Sequence, residues 1–328
     1  MISNAIEGLR PSLQDDGASA VRRARAAGHL AIAFVNNMGP SGFEVAERQF
    51  QHLIALGAGR IPWQFCRFTL GPVEGRVGAS YAGIEAIWDT RPDALVITGA
   101  EPRCADLRDE GYWGKLTELL NWAEALRIPV LLSCLAAHAA VLHWDGIARR
   151  RLPVKRSGVF HHKIVAEHPL LDGLASPAIP HSRWNEIDAA ALSACGYQIL
   201  TQAEDGSVDC FVRHERHLVL GFQGHPEYDS ETLFLEFRRD VRRYLCGTDA
   251  RYPELPVGYF SPEEIQLLAA FRDGCSAQAA ERFAAFPLEA TRRPYAASWQ
   301  RDAGRLCGNW LRHVRARQAR GAGALRRA

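Results

Sequence analysis

The sequence lacks the features that mark several large classes of protein. Its eight cysteines include no C-x-x-C pair and no finger or ribbon spacing, so they predict reduced thiols with neither disulfides nor structural zinc. No segment approaches the roughly 18 apolar residues of a membrane span. The first 28 residues contain no apolar signal-peptide core. We therefore expect a cytoplasmic protein that binds no membrane and no metal.

An excess of charge of either sign is also missing. The chain carries 39 Lys and Arg against 37 Asp and Glu, a net charge of +2, which gives no reason to expect a nucleic acid partner. The arginine-rich end, 316–328, has no aromatic residues and predicts a solvated basic tail. With 328 residues and 47% hydrophobic residues, the rest predicts a globular protein with an ample core.

Short apolar runs alternate with amphipathic segments along most of the chain. The runs predict strands at 29–37, 63–70, 93–100 and 128–134. The amphipathic segments predict helices at 43–57, 111–127 and 135–144. This alternation predicts an α/β fold with a mostly parallel sheet flanked by helices on both faces. Two further runs, 208–214 and 218–224, predict paired strands, and a helix over 230–245 follows with Ser230 as its N-cap.

The predicted domain organisation has four parts. Composition divides the chain into an N-terminal arm (1–28), a catalytic α/β domain (29–250), an extension packing on that domain (251–315) and the basic tail (316–328).

One cysteine occupies a position that favours chemical reactivity. In "LLSCLAAHAAVLHW" (131–144), Cys134 lies between a predicted buried strand and the first turn of a predicted helix. Ligand sites of open α/β sheets form at the carboxyl ends of strands, and a helix N-terminus lowers the pKa of a thiol. The glycines of a G-x-S-x-G elbow are absent here. From this stretch alone, Cys134 is either a nucleophile or an inert buried thiol.

A base for this thiol is found in "GFQGHPEYD". His225 follows the predicted strand, and Glu227, two residues later, can hold one ring nitrogen while the other faces the thiol. No other histidine combines these features, so Cys134, His225 and Glu227 form the predicted catalytic set.

Several further segments occur in a characteristic order. They are "DALVITGA", "YWGKLTELLNWA", "SCLAAHAAVLHWDGI", "KRSGVFHHKI", "PHSRW", "GHPEYDSETLFLEFRRDV" and "ASWQRDAGRLCGNWL". From about residue 29 to about residue 315, the chain resembles the MetA-type homoserine O-acyltransferases, whose fold is like that of class I glutamine amidotransferases (flavodoxin-like). "GHPEYD" followed by "FRRDV" is specific to that family.

The resemblance implies roles for individual residues. It makes Cys134 the acyl-thioester nucleophile, His225 the general base and Glu227 its orienting acid, and it assigns substrate binding to three residues, Lys155, Ser182 and Arg239. Backbone N–H groups near Leu135 would stabilise the oxyanion. The implied reaction transfers an acyl group from acyl-CoA to L-homoserine, as in methionine biosynthesis, with no cofactor. The family's habit also implies a homodimer.

The sequence departs from that family at a few positions. "NNMGPSGFE" lacks the family's lysine pair, and roughly 30 additional residues (about 261–290) precede "ASW". Leu135 and His138 replace the family's Trp and Gln after the nucleophile. Arg103 falls at the position that selects the acyl group, where an arginine can pair with a succinyl carboxylate, so we expect succinyl rather than acetyl.

Three other functions compete with this interpretation. The departures also fit a divergent relative that acylates a different amino alcohol. A glutaminase of the amidotransferase type would use the same three catalytic residues, although the glycines around Cys134 are missing. A non-catalytic binding protein that kept the fold is the third.

Overall fold

The apolar runs predicted as strands form the middle of one sheet in the computed structural model, which describes residues 17–40, 42–71, 80–276, 279–292 and 298–325. The strands of the chain, in order, are β1 (Leu30–Asn36), β2 (Trp63–Thr69), β3 (Ala82–Gly83), β4 (Ala94–Ile97), β5 (Val130–Ser133), β6 (Arg150–Ile164), β7 (Ala178–Glu186), β8 (Gln198–Ile199), β9 (Thr201–Ala203), β10 (Cys210–Arg213) and β11 (Val219–Phe222).

The main sheet has the order β3-β2-β1-β4-β5-β11-β10-β8. Every neighbouring pair from β3 to β11 is parallel, and β10 runs antiparallel to both β11 and β8. The predicted α/β class with a mostly parallel sheet is therefore confirmed, and so is the antiparallel pair near the end of the predicted catalytic domain.

Helices cover both faces of this sheet. They are α1 (Gly17–Ala26), α2 (Phe43–Ala58), α3 (Trp113–Ala125), α4 (Leu135–Asp145), α5 (Ala189–Ala194), α6 (Thr232–Leu245), α7 (Pro262–Asp273), α8 (Leu288–Thr291) and α9 (Trp299–Leu325). Along β1, Ala31, Ala33 and Val35 join the core beneath α1, α3 and α4, while Leu30, Ile32 and Phe34 join the core beneath α2 and α9. A strand buried on both sides is apolar throughout, which is why its sequence shows no alternation.

The C-terminal helix is an integral layer of the domain. A Cβ atom at Gly57 of α2 would lie 2.6 Å from the backbone nitrogen of Gly308 in α9, so glycine here lets the two helices approach closely. Further along α9, Gln318 donates to Asp93 Oδ2 at 2.9 Å. The helix continues to Leu325, so most of the residues predicted as a basic tail, 316–328, belong to α9.

The predicted N-terminal arm is also partly core. Residues 1–16 lie outside the described residues, but α1 buries Val21 and Ala24 against the main sheet. The prediction of Ser230 as N-cap is wrong, because α6 begins at Thr232 and the Thr232 hydroxyl donates to Asp229 Oδ1 at 2.5 Å. In the described ranges, no helix combines the length and apolar character needed to cross a bilayer.

A second, three-stranded sheet was not predicted. It has the order β7-β6-β9, and both pairs are antiparallel. Strand β6 escapes prediction because "RRLPVKRSGVFHHKI" is rich in basic residues and only partly buried, with a register shift between Arg151 and Arg156. Part of the extension beyond residue 250 packs on α6, through a cluster that contains Phe234, Phe271 and Trp299, and Val257 forms an isolated bridge with Gly158 of β6.

Candidate active site

Cys134 lies in the sharp turn between β5 and α4. Its φ of 47° and ψ of −108° belong to a backbone conformation that non-glycine residues rarely adopt. Such a conformation costs on the order of 1–3 kcal/mol and persists only where the surroundings fix it. Here its N–H donates to the Phe222 carbonyl of β11 at 2.8 Å, and α4 begins at the next residue. The turn therefore holds a half-buried thiol at a helix N-terminus, as predicted for a nucleophile.

The backbone N–H group of Leu135, next to the thiol, has free space in front of it. Leu135 is the first residue of α4, and first-turn N–H groups have no acceptor within their own helix. Gly99, two residues after β4, lies so close that a Cβ atom there would be 3.0 Å from the Leu135 nitrogen. A side chain at residue 99 would fill the space in front of that donor. Sequence reasoning missed Gly99, although a glycine at the end of a predicted strand was a usable signal.

His225 and Glu227 lie beside the thiol. Strands β5 and β11 are adjacent, and Ser133 pairs with Phe222, so the residues that follow them meet at one sheet edge. His225 Nδ1 lies 2.9 Å from Glu227 Oε1, and the His225 side chain is hydrogen bonded to that of Cys134. Because Nδ1 is occupied by Glu227, the nitrogen that faces the thiol is Nε2. The structure thus brings the three predicted catalytic residues together.

Two further residues fix this pair, and neither was predicted. The Ser133 hydroxyl donates to Glu227 Oε1 at 3.0 Å, and Glu227 is only 6% exposed. The Tyr228 ring stacks on the His225 imidazole with 4.2 Å between ring centroids. The imidazole is therefore held both in its plane and along its face.

The electrostatics of the pair favour a charged imidazole. Burial alone lowers the pKa of His225, but the charges of Cys134 and Glu227 and their hydrogen bonds outweigh it and raise the pKa well above its usual value. Near neutral pH this stabilises an imidazolium beside the Cys134 sulfur.

Two of the predicted substrate-binding residues meet on α6. Lys155 Nζ of β6 donates to Asp240 Oδ2 at 2.7 Å, and Arg239 Nε donates to Asp240 Oδ1 at 2.9 Å. The Lys155 and Asp240 side chains are mostly buried, whereas that of Arg239 is 43% exposed. Lys155 and Arg239 lower the pKa of Asp240 despite its burial, so the carboxylate is charged and neutralises part of their charge.

The other two predicted residues lie apart from this cluster. Ser182 is half-buried on β7, opposite Ser157 of β6. Pro180, two residues earlier on β7, accepts a hydrogen bond from the His225 N–H at 2.7 Å, which places this strand behind the imidazole. The side chain of Arg103 is exposed, and its backbone N–H donates to Glu110 Oε1 at 2.6 Å. The structure therefore does not place the Arg103 side chain in the site.

A buried trio of His162, His181 and Asp209 lies behind His225. Their ligand atoms are within 4.8 Å of one another, which is compatible with a metal ion. However, Arg183 Nε donates to His181 Nδ1 at 3.2 Å, so the proton of a neutral His181 is on Nε2, the atom that faces the other two residues. Metal-bound histidines instead donate through their second nitrogen. The trio is better explained as a hydrogen-bond network.

The unusual neighbours of the nucleophile are both buried. Leu135 packs into the core on the α4 side of the sheet. His138 is 2% exposed, and burial together with the charges of Arg183 and Arg149 lowers its pKa to about 3. His138 is therefore neutral at physiological pH and is a packing residue rather than a second base.

Comparisons with known proteins identify the family and the fold of the chain. Residues 10–320 match the family model described as homoserine O-succinyltransferase. A homoserine O-succinyltransferase of Rhodopseudomonas palustris is 42% identical over 92% of this chain and 93% of its own length. That of Methylorubrum extorquens is also 42% identical, over 88% of each chain. A glutamine amidotransferase of Methylobacillus flagellatus, 16% identical, matches 86% of this chain and 93% of its own with a TM-score of 0.51, which confirms the amidotransferase-like fold.

Proposed function

The chain belongs to the homoserine O-succinyltransferase family, and from that premise we propose that it moves a succinyl group from succinyl-CoA through a Cys134 thioester to the hydroxyl of L-homoserine. Acyl transfer to homoserine is what the family name supports. The observation that carries the thioester route is the hydrogen-bonded set of Cys134, His225 and Glu227, with the thiol in a strained turn at a helix N-terminus.

In the first half-reaction, the Cys134 thiolate attacks the carbonyl carbon of the thioester. The oxyanion that forms lies at the start of α4, where the Leu135 N–H is available and Gly99 leaves room. As the intermediate collapses, the carbon–sulfur bond to CoA breaks and the departing sulfur takes the proton from the His225 imidazolium. The products are an acylated cysteine, free CoA and a neutral imidazole.

Acylation itself prepares His225 for the second half-reaction. The charge of Cys134 contributes most to raising the pKa of His225, and that charge disappears once the sulfur carries an acyl group. The pKa of His225 then falls, so the imidazole stays neutral and can accept the proton of the homoserine hydroxyl. The hydroxyl oxygen attacks the thioester, the bond to Cys134 Sγ breaks, and the thiolate–imidazolium pair is restored.

Substrate binding is proposed for the residues around α6. Arg239 presents a partly exposed guanidinium whose geometry suits bidentate binding of an amino acid carboxylate. Lys155 is paired with Asp240, so we assign it mainly to holding this cluster in place. Ser182 on β7 stays a proposed hydrogen-bonding partner of the substrate, and no cofactor is part of this scheme.

The test separates the half-reactions. Wild-type protein is mixed with succinyl-CoA in the absence of homoserine, and its intact mass is measured together with released CoA. We expect one succinyl adduct on the wild type and none on Cys134→Ala, followed by loss of the adduct and formation of O-succinylhomoserine when homoserine is added. Steady-state turnover of Cys134→Ala should fall by at least about 10³-fold.

Two alternative functions are outcomes of the same test. If glutamine is supplied, its hydrolysis without any acyl adduct would support a glutaminase. The absence of any reaction with all of these substrates would support a binding protein. Full turnover by Cys134→Ala would contradict the thioester route.

A further inference from the structure

We propose that Arg183 binds the free carboxylate of the acyl group carried on Cys134, and thereby selects dicarboxylic acyl donors over acetyl-CoA. This inference rests on the proposed function, because it presupposes an acyl-cysteine. It moves the selection of the acyl group from the exposed Arg103 to a buried residue on β7 that sequence reasoning did not single out.

The guanidinium of Arg183 is buried with part of its hydrogen-bonding capacity unused. Arg183 is 4% exposed; its Nε donates to His181 Nδ1 at 3.2 Å and its Nη1 donates to the Asn185 carbonyl at 2.6 Å. Its Nη2 is buried and has no hydrogen-bond partner among the described residues. The nearest carboxylate contact joins Nη1 to Glu186 Oε2 at 3.7 Å, which is longer than a hydrogen bond. A buried charged donor without an acceptor is costly, so this atom is suited to bind an anionic group of a substrate.

The position of this guanidinium relates it to the catalytic residues. The His181 ring that it contacts lies against Gly224, where a Cβ atom would be 2.9 Å from His181 Nε2, and Gly224 directly precedes His225. Burial lowers the pKa of Arg183, and the strongest opposing influence is the charge of Cys134. The guanidinium of Arg183, on β7, is therefore close enough to Cys134 for their charges to interact.

Other cations of the proposed site are less suited to this task. Lys155 and Arg239 both pair with Asp240 at 2.7 to 2.9 Å, so a carboxylate already neutralises part of their charge. The side chain of Arg103 is exposed, where water weakens any attraction to a carboxylate. Arg183 combines burial with an unused donor.

The chemistry of a succinyl thioester matches this arrangement. Its free carboxylate is two methylene groups from the carbonyl carbon, so it lies close to the sulfur that carries it. An arginine that donates to this carboxylate in a buried site forms a charge-assisted hydrogen bond. Acetyl has no carboxylate, so Nη2 would stay without a partner in an acetyl-enzyme, and a site built to bind a polar group discriminates strongly against a ligand that lacks it.

The experiment compares Arg183→Gln, Arg183→Lys and the matched control Arg103→Gln. For each full-length protein, kcat/KM is measured with succinyl-CoA and with acetyl-CoA, and the acylation step is followed by intact mass without homoserine. We expect Arg183→Gln to lower kcat/KM for succinyl-CoA by about 10²-fold or more, with acetyl-CoA changed less than about threefold. Arg183→Lys should keep part of the preference, and Arg103→Gln should leave the ratio unchanged.

Each other outcome contradicts the proposal. Equal losses with both donors would make Arg183 a residue that stabilises the thiolate or the fold. A raised KM for homoserine with either donor would assign it to the acceptor's carboxylate, and a changed ratio in Arg103→Gln would return selection to that loop. If Arg183→Gln does not fold, Arg183→Lys decides, since the proposal then requires a fall of about tenfold in the succinyl-to-acetyl ratio. A wild type that neither donor acylates would remove the proposed function and this inference with it.

Discussion

The candidate site has two ends that are held by different means. At the thiol end (Cys134, His225 and Glu227), the side chains follow two adjacent parallel strands, so backbone register places them. At the cation end (Lys155, Arg239 and Asp240), the side chains come from β6 and α6 and hold one another through ion pairs. The first arrangement depends on backbone pairing, and the second depends on contacts between side chains. We therefore expect substitutions at the thiol end to reduce the rate of chemistry, and those at the cation end to weaken binding.

The strongest test of this contrast is Glu227→Gln. Glutamine keeps the shape, but its amide can donate to His225 Nδ1, which favours the wrong tautomer and removes the charge that stabilises the imidazolium. We expect kcat to fall by about 10²- to 10³-fold with little change in the KM for homoserine. Steady-state kinetics with varied homoserine measure both constants. A drop of less than about threefold in kcat would mean that Glu227 does not orient the base.

Ser133→Ala provides a graded variant at the same end. The Ser133 hydroxyl touches Glu227 and not the thiol, so we class it as a positioning residue. Loss of this hydroxyl should lower kcat only a few-fold. In the Glu227→Gln background it should change kcat very little, because the acceptor of its hydrogen bond is already altered. Equal effects in both backgrounds would show that Ser133 acts independently of Glu227.

The cation end is tested by Arg239→Ala beside Arg242→Ala. Both arginines lie on α6, but Arg239 contacts Asp240, whereas Arg242 lies over the Phe283 ring. If Arg239 binds the homoserine carboxylate, its removal should raise the KM for homoserine about tenfold and change kcat little. Arg242→Ala should change neither constant. A fall in kcat for Arg239→Ala at unchanged KM would contradict the division between the two ends.

The same contrast explains what the sequence could predict. Cys134 and His225 were predictable because each follows a buried apolar strand, and the carboxyl ends of parallel strands meet at one edge of a sheet. Ser133 serves the same edge, but its role depends on a contact with Glu227, which is distant in sequence and which an apolar run does not reveal.

The hydrophobic periodicity of the sequence could not predict the second sheet. Strand β6 pairs on both edges but is mostly half-buried or exposed, so its sequence has the composition of a loop. Arg183 was missed for a related reason, since an arginine in a polar segment predicts an exposed side chain. Lys155 and Arg239 were assigned through resemblance alone, and their common partner Asp240 emerged only from the structure.

The last expected effect is on stability and concerns Asp240→Asn. Burial raises the pKa of Asp240, but Lys155 and Arg239 outweigh it and lower the pKa below its usual value in the folded state. A depressed carboxyl pKa stabilises the fold above the unfolded value of about 3.9, and that contribution is lost as the pH falls through the folded-state pKa. At pH 6, Asp240→Asn should therefore be less stable than wild type by about 1–2 kcal/mol.

That difference should shrink as the pH falls below about 3.9, because Asp240 of the unfolded chain then binds a proton before the carboxylate of the folded protein does. Urea unfolding of both proteins between pH 6 and pH 3 measures it, with Asp249→Asn as the control because that side chain is exposed. A difference that stays constant over this range would show that the ion pairs with Lys155 and Arg239 contribute nothing to stability. The cation end would then be held by packing, as the thiol end is held by its backbone, and the contrast between the two ends would disappear.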